Sequence, residues 1–183
     1  MIGELLDEAS GKMDQAVAHT AGEFGTIRTG RANPGLLYRV TVDYYGAPTP
    51  LQQLAGFSVP EARMLIVSPY DKGAIGEIEK AIRTADLGLN PSNDGNIIRL
   101  AFPALTEERR KELIRLTRHI AEEGRIAIRN VRRHCKDDLE ALEGDVSEDD
   151  IRRAENELQE LTDEHIKRLD DLLLHKEEEL MEV

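Results

Sequence analysis

The amino-acid sequence predicts an α+β protein: an elongated three-helix bundle with a small β/α/β domain inserted between its first and second helices. Three observations carry this. Helical periodicity of apolar residues covers the first 27 residues and returns over nearly all of residues 106–183. Six of the seven prolines fall between Asn33 and Ser92, the seventh being Pro103, so the segment in between cannot be built from long helices. Aromatic residues make up only 4% of the chain and Trp is absent, leaving aliphatic side chains to build the core, which suits helix packing better than a large sandwich.

The first helix follows from Ile2, Leu5, Ala9, Met13, Ala16/Val17, Thr20, Phe24 and Ile27, a single stripe in steps of three and four. Gly30 stands just past the last periodic residue, where a helix stop is expected. In the proline-rich stretch, Val40, Val42 and Tyr44 alternate with Thr41 and Asp43 as a half-buried strand does. Residues 64–67 and 96–102 are further strand candidates, and residues 72–85 place Ile75, Ile78, Ala81/Ile82 and Ala85 on one helical face. Residues 90–95 (Asn-Pro-Ser-Asn-Asp-Gly) carry turn chemistry. The second long helix starts at Thr106, with a stripe of Leu113, Leu116, Ile120, Gly124, Ala127, Val131, Cys135 and Leu142. Gly144-Asp145 breaks it, and Ser147 is the expected N-cap of the third, with Val146 and Ile151 as a hydrophobic staple. Its stripe is Ile151, Ala154, Leu158, Leu161, His165/Ile166, Leu169, Leu173 and Leu180. Three such helices bury their faces only against one another. The expected division is therefore 1–30 with 105–183 as the bundle and 31–104 as the inserted domain. Hinges are expected near residues 29–32 and 102–106, comprising Thr29, Gly30, Pro103, Ala104 and Leu105.

No apolar run approaches the roughly 20 residues that span a bilayer. The N-terminus shows neither signal-peptide nor transit-peptide character. A single cysteine, Cys135, fits a reducing compartment, and the expected location is the cytoplasm, with no membrane partner. The net charge of −12 speaks against nucleic acid until it is resolved along the chain. Residues 106–136 hold ten basic and five acidic side chains, whereas residues 137–183 hold five basic and nineteen acidic ones. The middle of the chain is a basic island in an acidic protein.

On a helical wheel the island becomes a ridge. At about 100° per residue, Arg118, Arg125, Arg129, Arg132 and Lys136 fall within a narrow sector along about 27 Å of helix, with Arg115 and Arg133 beside it. The simpler reading is a solvated face laced with salt bridges. Against it, Glu122 is the one acid near the ridge within residues 118–136, and four of the five ridge cations are Arg, whose planar fork suits phosphate. A rigid exposed ridge suits one-sided docking on folded RNA, and no short recognition helix for duplex DNA is present, so DNA is not expected as a partner. Arg28 and Arg31 flank Gly30 in a second basic cluster, which C-capping would also explain. Catalytic signals are thin: the five histidines show no ligand spacing, Cys135 reads as a small buried hydrophobe, and the glycines match no nucleotide-binding fingerprint. The expectation is no enzyme, no cofactor and no metal. The rival reading is a protein-binding adaptor working through the acidic third helix.

A set of motifs resembles the ribosome recycling factor family. They are Arg28-Thr29-Gly30-Arg31-Ala32-Asn33-Pro34, Asp43-Tyr44-Tyr45-Gly46, Thr49-Pro50-Leu51, Gln53-Leu54-Ala55, Ala85-Asp86-Leu87-Gly88-Leu89-Asn90-Pro91 and Asn93-Asp94-Gly95. Leu105-Thr106-Glu107-Glu108-Arg109-Arg110-Lys111-Glu112-Leu113 and Arg129-Asn130-Val131-Arg132-Arg133 complete the set. The resemblance implies an L-shaped molecule with a flexible joint. It also implies a role at the end of translation, splitting the post-termination ribosome into subunits with elongation factor G and GTP and promoting release from mRNA. The bundle would dock on large-subunit ribosomal RNA, and the factor would be a monomer off the ribosome. Arg129, Arg132 and Arg133 match the family's RNA-contacting motif, and Arg28, Arg31 and Arg110 lie in matching segments. Arg125 joins them on the geometry of the ridge alone.

Overall fold

A computed structural model describes residues 1–182, which form two compact units. In chain order the helices are α1 (Ile2–Gly25), α2 (Ile75–Thr84), α3 (Glu107–Glu140) and α4 (Glu148–Met181). The strands are β1 (Thr41–Tyr44), β2 (Ala47–Pro50), β3 (Ala55–Glu61), β4 (Met64–Pro69), β5 (Pro91–Asn93) and β6 (Ile98–Ala101).

The first unit, residues 1–28 and 106–182, is the bundle of α1, α3 and α4. α1 buries Leu6, Ala9, Met13, Val17, Thr20 and Phe24, so Leu6 rather than Leu5 faces the core. α3 runs antiparallel to α1, since the Cys135 thiol reaches the carbonyl of Leu5 while Gly124 abuts Thr20. Asp14 on α1 is tied to α4: its Oδ1 accepts from Arg168 Nη1 at 2.6 Å and lies 3.1 Å from the Nε2 of buried His165. The hydrogen bonds from Arg168 and His165 hold the Asp14 carboxyl below its ordinary range. α3 and α4 begin alike. Thr106 Oγ1 accepts from Arg109 N and Ser147 Oγ accepts from Asp150 N, each at 3.2 Å, satisfying an otherwise orphaned donor.

Two expectations about helices are corrected. α1 ends at Gly25, where Thr26 turns its hydroxyl onto Glu23 O at 2.7 Å, so Gly30 is not its stop. The buried face of α3 is Leu113, Thr117, Ile120, Ala121, Gly124, Ile128, Cys135 and Leu139; Leu116 and Ala127, expected inside, are exposed. The true face is centred about 40° further round the helix than the expected stripe.

The second unit, residues 29–105, holds the antiparallel sheet β3-β4-β6-β5, the helix α2 and the hairpin β1-β2. Leu37, Val42, Leu51, Leu65, Val67, Ile78, Ile98 and Leu100 are wholly enclosed in its core. The hairpin turns through Tyr45 (φ 49°) and Gly46 (φ 85°), both left-handed, the geometry that matches strand twist in a two-residue loop. Strands β2, β3 and β5, each with a proline, are not foreseen from the sequence. Proline is tolerated there: β5 and β3 are the sheet's two edges, and the β3 register shifts between Ser58 and Glu61, around Pro60. Part of the expected 90–95 turn is thus strand β5, and the turn proper is organised by Asp94, whose Oδ1 accepts from Asn96 N and Ile97 N at 2.9 Å.

Candidate nucleic-acid interface

The basic ridge lies on α3, and its placement follows from the corrected face of that helix. Moving the buried centre round brings Arg118, Arg125, Arg132 and Lys136 to the flank that runs beside α4, not to the side opposite the core. The two helices are antiparallel, so one heptad forward on α3 meets one heptad back on α4. Arg118 Nε donates to Glu177 Oε1 at 2.5 Å, and Arg125 Nε and Nη2 donate to Asp170 Oδ1 at 2.8 and 2.6 Å. Further along, Arg132 Nη1 donates to Gln159 Oε1 at 3.1 Å, and Lys136 lies 3.5 Å from Glu155 and from Glu140.

The expected ridge, with Glu122 as the one acid near it, is therefore not what the molecule holds: Asp170, Glu177, Glu155 and Glu140 also meet it. Arg125 is the clearest correction. Its Nη1 also donates to Glu122 Oε2 at 3.0 Å, and its side chain is only 20% exposed. Burial works against its charge, but Asp170 and Glu122 more than offset that. Such a guanidinium is a strut between helices. Glu122 in turn accepts from Arg129 Nη1 at 3.1 Å, completing a chain Asp170–Arg125–Glu122–Arg129 of alternating sign. Hydrogen bonds from Arg125 and Arg129 hold the Glu122 carboxyl below its usual range.

Three guanidinium groups keep donors to spare. Arg129 is 45% exposed and shares one carboxylate that Arg125 also uses. Arg132 has a neutral amide as its partner, so its charge is uncompensated by that contact. Arg133 is exposed and has no partner among the described residues. Asn130 is exposed beside them. Of the remaining expected contacts, Arg110 is half-buried near the start of α3 with its Nε enclosed and unbonded among the described residues. Arg28 closes the first segment of the bundle unit, and Arg31 belongs to the second unit; both are engaged in interactions of their own.

The segments joining the units have their own geometry. Within the second unit, Ala32 N donates to Ala62 O at 2.7 Å and Phe102 N to Arg63 O at 2.8 Å, so both ends of the module are fastened to one turn. Outside those fastenings lie Thr29, Gly30 and Arg31 on one side and Pro103, Ala104 and Leu105 on the other. Gly30 has φ 78°, and a Cβ there would lie 3.3 Å from Leu105 Cγ and 3.7 Å from Pro103 O. The positive φ calls for glycine, and a side chain there would also press on Leu105.

Cys135 is buried, and burial pushes its thiol up, away from the reactive thiolate. No cluster of three or more His, Cys, Asp or Glu side chains suited to a metal ion occurs among the described residues. No described helix is long and apolar enough to cross a membrane. Sequence reasoning missed Asp170, Glu177, Gln159 and Glu155. The signal was present as two heptad series, 118/125/132 and 170/177, which only an antiparallel pairing brings together.

Residues 20–181 match the family model described as "Ribosome recycling factor". The chain is 56% identical to the ribosome-recycling factor of Acidothermus cellulolyticus and 55% identical to that of Bacillus subtilis, over 100% of both chains in each case. Among solved structures it is similar to a solution structure of the ribosome recycling factor, with a TM-score of 0.77 at 44% identity, covering 100% of this chain and 98% of that one. It is also similar to a model of the T. thermophilus ribosome recycling factor, described together with E. coli elongation factor G as bound to the E. coli post-termination complex. There the TM-score is 0.65 at 47% identity, with 100% of both chains covered.

Proposed function

The chain belongs to the ribosome recycling factor family, a premise from which we infer that it acts in the cytoplasm on the post-termination ribosome, anchoring α3 to large-subunit ribosomal RNA while elongation factor G and GTP drive the subunits apart and mRNA is released. It is a translation factor in ribosome recycling, and its own part is mechanical, with no bond made or broken by its side chains.

The observation that carries the RNA-binding reading is the group Arg129, Arg132 and Arg133 on α3, the part of the ridge with unspent donors. A guanidinium that keeps two or more N–H groups directed to solvent can grip a phosphate bidentately. Arg110, Arg28 and Arg31 extend the footprint. Arg125 leaves the contact set and becomes a support for Glu122 and, through it, Arg129. The segments 29–31 and 103–105 lie outside the fastened ends of the module and are the proposed hinges, through which the second unit yields to the GTPase while the bundle stays anchored.

The test is sedimentation with post-termination ribosomes across a salt series, with Arg132→Ala and Arg132→Ala/Arg133→Ala beside the parent chain. Affinity should fall several-fold per substitution, and the salt slope should become shallower by about 0.7–0.9 for each phosphate no longer neutralised. The thermal midpoint should stay nearly unchanged, because neither side chain binds a carboxylate in the bundle. Undiminished, salt-indifferent ribosome binding would overturn the reading and favour an adaptor working through α4.

A further inference from the structure

The part of the ridge that the proposed anchoring does not use still needs an explanation. Arg118 and Arg125 carry the planar fork that suits phosphate, yet α4 supplies a carboxylate to each. We propose that Asp170 and Glu177 are specificity-determining residues: they occupy the ridge as built-in phosphate substitutes and so suppress binding to unstructured RNA. The proposal rests on the reading of α3 as an RNA-binding helix.

The geometry favours substitution over coincidence. The two carboxylates stand one heptad apart, about 10.5 Å along the helix, opposite two arginines with the same separation. Asp170 Oδ1 takes two donors from a single guanidinium, as a phosphate oxygen would. The carboxylates of α4 are not all used this way. Glu157 and Glu160 on the same helix are exposed and have no partner among the described residues. α4 therefore carries both engaged and unengaged acids, which makes an internal comparison possible.

Pairs with one partner in solvent, as Arg118–Glu177 and Arg125–Asp170 each have, are screened and contribute modestly to stability. What they change is the ligand's gain. A phosphate arriving at Arg118 or Arg125 must displace a carboxylate and then remain beside it, so the local charge offered to RNA is close to zero. A flexible single strand, making contacts one at a time, gains nothing at these positions. A folded RNA surface that presents several phosphates together to Arg129, Arg132 and Arg133 does not need them. Discrimination comes from shutting part of the ridge, leaving open the part that matches a rigid target. The device suits an RNA-binding chain with a net charge of −12 working among abundant unstructured RNA.

The experiment measures binding of poly(U) from 50 to 200 mM salt by the whole chain, by Asp170→Asn, Glu177→Gln and their double variant, and by Glu157→Gln/Glu160→Gln. Both doubles change net charge equally, and the amides keep an oxygen that can accept from Arg118 and Arg125. The engaged double should bind poly(U) at least fivefold more tightly at low salt, with a slope steeper by about 0.7 for Arg118, freed outright, and by up to about 0.7 more for Arg125, which keeps Glu122. The unengaged double should gain less than twofold. Equal gains by the two doubles, or none by either, would overturn the proposal. Should Asp170→Asn unfold the bundle, Glu177→Gln alone carries the test with the slope change of about 0.7 that belongs to Arg118. Ribosome binding by the parent chain is measured in parallel. Its failure would remove the RNA-anchoring reading itself, whereas normal ribosome binding with no poly(U) gain would remove only the role of Asp170 and Glu177.

Discussion

At Gly124 the three bundle helices pack close together. A Cβ at Gly124 would run into Thr20 Oγ1 and Leu169 Cδ1. Neither neighbour can yield easily: Thr20 Oγ1 donates to Ala16 O at 3.1 Å, and Leu169 is wholly buried. Gly124→Ala gains helix propensity, worth roughly 1 kcal/mol, but overpacking typically costs about 1–3 kcal/mol. The clash wins here because it involves two side chains on two different helices. A lowered denaturant midpoint, with a net loss of up to about 2 kcal/mol in stability, is the expected result. Gly11, exposed in α1 with nothing within 4 Å of its would-be Cβ, should respond to the same substitution with a gain of about 0.5–1 kcal/mol. Equal signs at the two positions would show that the close crossing is not there. The same residue explains a limit of sequence reading. Periodicity puts Gly124 on the buried face of α3, but it takes Leu116 and Ala127 where Thr117, Ala121 and Ile128 are buried, since hydropathy passes over a hydroxylated residue and cannot choose between two alanines on neighbouring flanks. Where backbones approach closely, small size decides burial, and that depends on the partner helices.

At the level of elements, the long helices were legible because each carries its own start signal and stripe. Ser147 caps α4 as expected, and the acids that follow it sit where the helix dipole favours them. Its hydroxyl is used twice, accepting from Asp150 N at 3.2 Å and donating to Asp150 Oδ2 at 2.6 Å. Ser147→Ala removes both, and a loss of about 1 kcal/mol is expected on the scale of measured caps. Hydrogen exchange should show the loss concentrated in the first turn of α4, and protection there equal to the parent's would argue against the cap. The ridge was legible as a set of cations and illegible as a set of contacts. Within α3 alone, Glu122 and, at the far end, Glu140 are the acids at hand; Asp170 and Glu177 enter only when α4 is laid antiparallel alongside. The strands divide in the same way. β1, β4 and β6 announce themselves through alternation or β-branched runs, whereas β2, β3 and β5 contain prolines that a reader scores against strand. Proline disfavours the interior of a central strand (central β4 carries Pro69 only at its last position), not an edge, and edge status is a property of the finished sheet.

At the level of the whole chain, the α+β class and the family resemblance could be read from the sequence because the signal for them is spread over the entire length, so that no local misreading of a stripe or a strand removes it. The division of labour between the units is the remaining question, and it has a direct test. The second unit owns a core of its own, from Leu37 through Leu100, and its ends are fastened next to each other by the Ala32–Ala62 and Phe102–Arg63 hydrogen bonds. A module whose two ends leave from one turn is closed by its own backbone, the condition under which inserted domains fold alone. The excised segment 29–105 should therefore unfold cooperatively, and its amide spectrum should overlay that of the same residues in the whole chain except near the cuts. A segment of this size has little stability to spare, so the comparison belongs at low temperature, where a marginal fold is still populated. A collapsed spectrum under those conditions would mean that the bundle completes the module's fold, and the proposed hinge would lose its basis, since a unit that cannot fold without its neighbour cannot swing as a body. The excised module lacks α3 and should leave ribosomes unbound at concentrations where the whole chain binds; ribosome binding by the module would move the anchor off the Arg129–Arg132–Arg133 group.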